Sequence, residues 1–148
     1  MGPMELQVNQ EVDVLLIEDD PNDAEMIIRT LRKNGLDTNL RHVEDGARAL
    51  QVLDELKQNG KNQPRLILLD LSMPKINGSE VLEVLKNDEV TRGIPVVVLT
   101  SSMEEKDLKR CYALGVNSYI VKPVDYAEFS KTIKNVGRYW LRFNLIPD

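Results

Sequence analysis

The stretch LILLDLSMPKING, Leu66 to Gly78, decides how this chain folds. Its first four residues form a continuous apolar run, the pattern of a strand covered on both faces. The run then stops on a charge, Asp70. Ser72, Pro74, Asn77 and Gly78 follow, residue types that turn the chain toward a new element. A strand built for an apolar interior therefore delivers a carboxylate to the place where that interior ends.

Runs of the same kind occur at 12–17 and 95–99, with a less apolar one at 39–43 and a short one at 118–121. Helical spacing separates them. Ala24, Ile27, Ile28 and Leu31 recur at helical intervals in residues 21–32. Asp20 stands at the N-cap position, Pro21 at the first helical position and Gly35 at the stop. Further helices are predicted at 45–59, 78–88 and 104–114, closed by Gly60 before the third strand and Gly115 before the fifth. A last one runs from 125 to about 143 despite Gly137. Strand and helix alternate five times, which predicts an α/β, doubly wound (βα)5 fold with a parallel five-stranded sheet.

The composition narrows the function. The chain has 148 residues, the size of one domain, and a net charge of −5 with acidic and basic residues intermixed, which disfavours a phosphate-tracking nucleic-acid surface. A lone cysteine, Cys111, fits a reducing compartment, and no apolar run is long enough to span a membrane, so a cytoplasmic protein without membrane attachment is expected. Residues 1–3 read as a cloning remnant ahead of a natural Met4. Residues 1–11 are expected to be flexible, and 12–148 to form one domain whose last helix continues from about 141 into a short apolar tail.

All strands of a parallel sheet end on one edge, where ligands bind. Glu18, Asp19 and Asp20 follow the first strand, Asp70 the third, Thr100, Ser101 and Ser102 the fourth, and Lys122 and Pro123 the fifth. Carboxylates packed together need a proton or a cation between them. Their oxygens suit a hard ion such as Mg²⁺, whose open face suits a phosphoryl group, with Lys122 and Thr100 on its remaining oxygens. Asp70, central and at the end of the most buried strand, is the candidate nucleophile.

In this set the chain resembles the receiver domains of two-component response regulators. The motifs are Glu18-Asp19-Asp20, Asp70 in LLDLSMPKING, Thr100 in VVVLTSS and Lys122-Pro123 in YIVKP, spread over residues 13–141. The resemblance implies a flavodoxin-like strand order 2-1-3-4-5. It implies phosphorylation of Asp70 by a partner sensor histidine kinase, with Asp19 binding Mg²⁺ directly, Glu18 through water and Ser72 through its backbone carbonyl. Lys122 would pair with the phosphoryl group, Thr100 would act as the switch hydroxyl and Tyr119 as the aromatic that turns inward. A cis Lys122–Pro123 bond is also implied. Such a domain is not an enzyme beyond its own phosphotransfer and autodephosphorylation. Two positions depart from commoner members: Ser72 and Ser102 stand where longer side chains often help place the hydrolytic water, so slow loss of phosphate is expected.

Plainer roles suit several neighbours. Asp20 and Ser102 read as helix caps, His42 as a solvated residue of an edge strand, and Cys111 as a small core-facing residue. Phe129, Ile133, Val136, Trp140 and Phe143 follow helical spacing. The first three are expected to cover the sheet, and the tail either folds back or joins the fourth strand and last helix in a homodimer interface through Phe129, Trp140 and Phe143. The Trp-Leu…Pro ending is similar to stand-alone receivers that partner phytochromes, which makes a phytochrome-type kinase the expected partner. Output would then go through protein contact. A haloacid-dehalogenase-type phosphohydrolase would need an aspartate where Ser72 stands, a flavodoxin-like cofactor carrier would need a glycine- and hydroxyl-rich first loop, and a phosphate-independent pseudo-receiver would not need the intact acidic set.

Overall fold

A computed structural model describes residues 12–36, 39–73 and 76–146. The expected flexible lead, residues 1–11, lies outside the described residues. Three strands, β1 (Val14–Ile17), β3 (Leu66–Leu69) and β4 (Val96–Thr100), are buried at every position, whereas β2 (Leu40–Val43) and β5 (Ser118–Val121) are mostly half-buried. That difference assigns their places. The strands pair in parallel in the order β2-β1-β3-β4-β5, so the continuous apolar runs occupy the centre and the mixed ones the edges. Val14 is in register with Leu40 on one side and Leu66 on the other.

Five helices cover the two faces: α1 (Pro21–Lys33), α2 (Gly46–Gln58), α3 (Gly78–Asn87), α4 (Glu105–Leu114) and α5 (Tyr126–Arg138). Successive strand residues point to opposite faces. Leu15, Ile17, Ile67, Leu69 and Val98 therefore pack with Val52, Leu82 and Cys111 of α2–α4. Val14, Leu16, Leu68 and Leu99 pack with Ile27, Leu31, Phe129 and Ile133 of α1 and α5.

Most helices start where a side-chain acceptor is available. Asp20, Asp45, Asn77 and Asp125 each cap the helix that follows, whereas α4 begins after Glu104 with no side-chain cap. Gly115 closes α4 in the left-handed region at φ +99°, a conformation glycine adopts at little cost.

Four expectations need correction. The third strand, expected to run over residues 66–71, ends at Leu69, because Asp70 N–H makes one last bond to Ile17 O (3.0 Å) and the Asp70 side chain then accepts from Ser72 N (3.2 Å), turning the chain. The Lys122–Pro123 bond is trans. His42 is half-buried rather than solvated, and its Nε2 donates to Glu18 O at 2.7 Å. Phe129 is only 2 % exposed and belongs to the core, so it carries no interface.

The last helix also changes form. After Arg138 it widens into a π-helical turn, Tyr139–Phe143, in which Asn144 N–H reaches Tyr139 O at 2.7 Å. The turn buries Leu141 and leaves Phe143 and Leu145 exposed. Arg65 donates to Leu141 O (2.8 Å) and Arg142 to Gly35 O (2.7 Å), so the tail folds back in part. Gly137 lies where α5 crosses α1. A Cβ there would meet Leu31 Cδ2 at 2.7 Å and Leu36 Cδ1 at 3.0 Å, which explains a glycine inside this helix. No helix among the described residues is long and apolar enough to cross a membrane.

Candidate functional site

The strand ends build the site. Glu18 follows β1 and is held by its backbone N–H to Val43 O (3.1 Å) and by the His42 contact to its carbonyl. Its carboxylate is buried at 1 % exposure. Asp19 is next, nearer solvent, and Asp20 turns away to cap α1, accepting from Asn22 N (2.9 Å) and Asp23 N (3.2 Å). Asp70 arrives at the end of β3 with 5 % exposure, and Thr100 at the end of β4, fully buried. Lys122 follows β5, and its N–H to Thr100 O (2.7 Å) fixes where its side chain starts.

One carboxylate oxygen from each of Glu18, Asp19 and Asp70 lies within 4.8 Å of the others. Burial, then the hydrogen bond and charge of Glu18, push the Asp70 carboxyl up to about 8, against the lowering effect of Lys122 and the Ser72 N–H. Three hard oxygen donors this close, one pushed toward its protonated form, fit a divalent cation in place of the proton.

Lys122 Nζ lies 2.6 Å from Glu18 Oε1, 2.9 Å from Asp23 Oδ2 and 3.8 Å from Asp70 Oδ2. Burial alone would lower its basicity. The hydrogen bonds to Glu18 and Asp23 and the charges of Asp70 and Glu18 outweigh that, so the ammonium stays well above the ordinary lysine range. Sequence reasoning reached Glu18, Asp19, Asp70 and Lys122 but missed Asp23. The available signal was its position three residues after the cap Asp20, which places it in the first turn of α1 beside the strand ends.

Ser102 joins four groups. Its N–H donates to Thr100 Oγ1 (3.1 Å), its Oγ donates to Asp107 Oδ2 (2.5 Å) and accepts from Glu104 N (3.2 Å), and its carbonyl accepts from Tyr119 OH (3.1 Å). Tyr119 is half-buried against the α2–α4 core. The Ser72 side chain is exposed. At the far end of the sheet Trp140 is half-buried, its ring edge-on to Tyr139 at 5.0 Å, while Phe143 is 70 % exposed.

Residues 14–134 match the family described as the response regulator receiver domain. The chain is 38 % identical over 142 residues to the probable methanogenesis regulatory protein FilR2 of Methanothrix harundinacea, spanning 96 % of this chain and 92 % of that protein. It is 34 % identical over 135 residues to the response regulator Rcp1 of Synechocystis sp., spanning 90 % and 92 %. Among solved structures, the Mn(2+)-bound form of Rcp1 superposes with a TM-score of 0.85 at 34 % identity, over 94 % of this chain and 100 % of that one. The phosphorylated cyanobacterial phytochrome response regulator RcpA superposes with a TM-score of 0.86 at 33 % identity and the same coverage.

Proposed function

Because the chain belongs to the response regulator receiver domain family, we propose that Asp70 is its phosphoacceptor, loaded by a sensor histidine kinase of the phytochrome type in a Mg²⁺-dependent reaction. The observation that carries this reading is the Asp70 carboxylate, buried beside Glu18 and Asp19 with Lys122 at 3.8 Å. Residues 12–148 are taken as one such domain.

The transfer has a simple balance. An Asp70 oxygen attacks phosphorus, the P–N bond of the donor phosphohistidine breaks, and the freed imidazole keeps the bonding pair and takes a proton. The product is an acyl phosphate. Glu18, Asp19, Asp70 and the Ser72 carbonyl would hold the ion, which when bound supplies positive charge against the phosphoryl oxygens. Lys122 offers an ammonium and Thr100 a hydroxyl to those oxygens. Thr100 is then drawn from its bond with Ser102 N–H, and Tyr119, bonded to the same Ser102, responds. Incubation with acetyl phosphate and Mg²⁺ should add one phosphoryl group to the intact mass, and Asp70→Asn should add none. A wild-type chain that gains nothing from small donors or a kinase defeats the reading.

Hydrolysis should be slow. The Ser102 hydroxyl is engaged with Asp107 and Glu104, and Ser72 is short and turned to solvent, so neither is placed to orient a water. With Mg²⁺ present the acyl phosphate should persist for minutes or longer, and decay within seconds would refute this. A homodimer through β4, α5 and the tail also remains our proposal, now resting on Phe143 and Leu145, which is 91 % exposed. Cutting the chain after Trp140 would remove the buried Leu141, so the cleaner test is Phe143→Ser with Leu145→Ser. That variant should be monomeric in light scattering; a wild-type chain that is monomeric at high concentration ends the idea.

A further inference from the structure

Lys122 carries three N–H donors and sits among three carboxylates: Glu18, Asp23 and Asp70. Two of them hold it. At 2.6 Å and 2.9 Å, Glu18 and Asp23 are hydrogen-bonded to the ammonium, whereas Asp70 at 3.8 Å is beyond that reach. The ammonium is therefore drawn off the reacting carboxylate toward the start of α1.

The two holders differ in their other duties. Glu18 is one of the three groups grouped for a cation, and Asp23 is not. When a cation claims Glu18, Asp23 is the carboxylate that remains for Lys122 alone. It is also fixed in place: its N–H donates to the cap Asp20 at 3.2 Å, in the first turn of α1, and its side chain is 17 % exposed. A phosphoryl group arriving on Asp70 brings further negative charge and must win the same ammonium.

We propose that Asp23 is a positioning residue that holds Lys122 in its resting place and competes with the phosphoryl group for it, setting how readily Asp70 accepts phosphate and how long it keeps it. This rests on the receiver reading above.

The test compares wild type, Asp23→Asn, Asp23→Ala and Asp23→Glu, each first shown to melt cooperatively. All are phosphorylated with acetyl phosphate at saturating Mg²⁺, because loss of a nearby carboxylate also weakens cation binding. Intact mass follows both gain and, after donor removal, loss. Asp23→Asn and Asp23→Ala should load about threefold faster or more and lose phosphate more slowly, on the scale of one partly exposed ion pair. Asp23→Glu, which restores the charge, should return toward wild type, a rescue that a purely structural role for the side chain does not predict. Neutral variants that load at the wild-type rate or slower, while wild type gains phosphate, overturn the role of Asp23 alone. A wild type that gains none removes the receiver reading and this inference together.

Discussion

Gly78→Ala is expected to melt well below the wild-type chain and to lose most of its capacity for phosphate. Gly78 opens α3, and its N–H donates to Leu71 O at 3.0 Å. A Cβ added there would collide with the carbonyl oxygen of Asp70 and come within 2.6 Å of Leu71 Cα. Both are backbone atoms, with no rotamer to change. The start of α3 and the end of β3 must move apart, and the moving piece carries Asp70. Overpacking of this kind costs about 1–3 kcal/mol, and against backbone the upper figure applies. For a domain of this length that is roughly 6–12 °C of melting temperature. Gly137→Ala is the control. Its Cβ meets side-chain carbons of Leu31 and Leu36 rather than backbone, and alanine regains about 1 kcal/mol of helix propensity against their displacement, so the variant should melt closer to wild type than Gly78→Ala does. Thermal unfolding and acetyl-phosphate loading measure both. If Gly78→Ala melts and loads like wild type, the close approach at Gly78 is not what holds Asp70.

The second large effect is a pH dependence that Asp70→Asn removes. Burial first, then Glu18, push the folded carboxyl up to about 8, whereas in the unfolded chain it titrates near its ordinary value of about 3.9. Between those values the folded state holds a proton that the unfolded state has released. Stability from this group is therefore complete below about pH 4 and is lost as pH rises through about 8. Without divalent ions, wild type should lose melting temperature from pH 5 to pH 9 relative to Asp70→Asn, which has no proton to lose. Added Mg²⁺ should restore wild type far more at pH 9 than at pH 5, because the cation replaces the proton. A melting difference between the two chains that stays constant over that range would show that Asp70 does not carry this charge conflict.

Both expectations concern a place that the sequence identifies without naming all its contacts. The apolar runs, the cap at Asp20 and the stop at Gly115 were readable because helices and strands bury faces at fixed periods, and caps act within a few residues. The site was readable in outline because parallel strands share one edge. The rest depends on which side-chain ends meet across long separations. Lys122 and Asp23 are 99 residues apart, Arg65 and Leu141 are 76 apart, and no local pattern joins either pair. Phe129 and Phe143 lie on one helical repeat, yet one is core and the other exposed, because the helix leaves the sheet and changes pitch between them.

By itself, the sequence determined the alternation of strands and helices, the doubly wound sheet, and the delivery of Glu18, Asp19, Asp70, Thr100 and Lys122 to one edge. These follow from periodicity and the direction of the chain. Only the tertiary structure decided that Lys122 rests on Glu18 and Asp23 rather than on Asp70, that Ser102 is tied to Asp107, and that Gly78 lies against the Asp70 backbone. The physical reason is that these are choices among competing partners a few ångströms apart. They are settled by how closely the elements pack and by which buried charges must share a counter-charge.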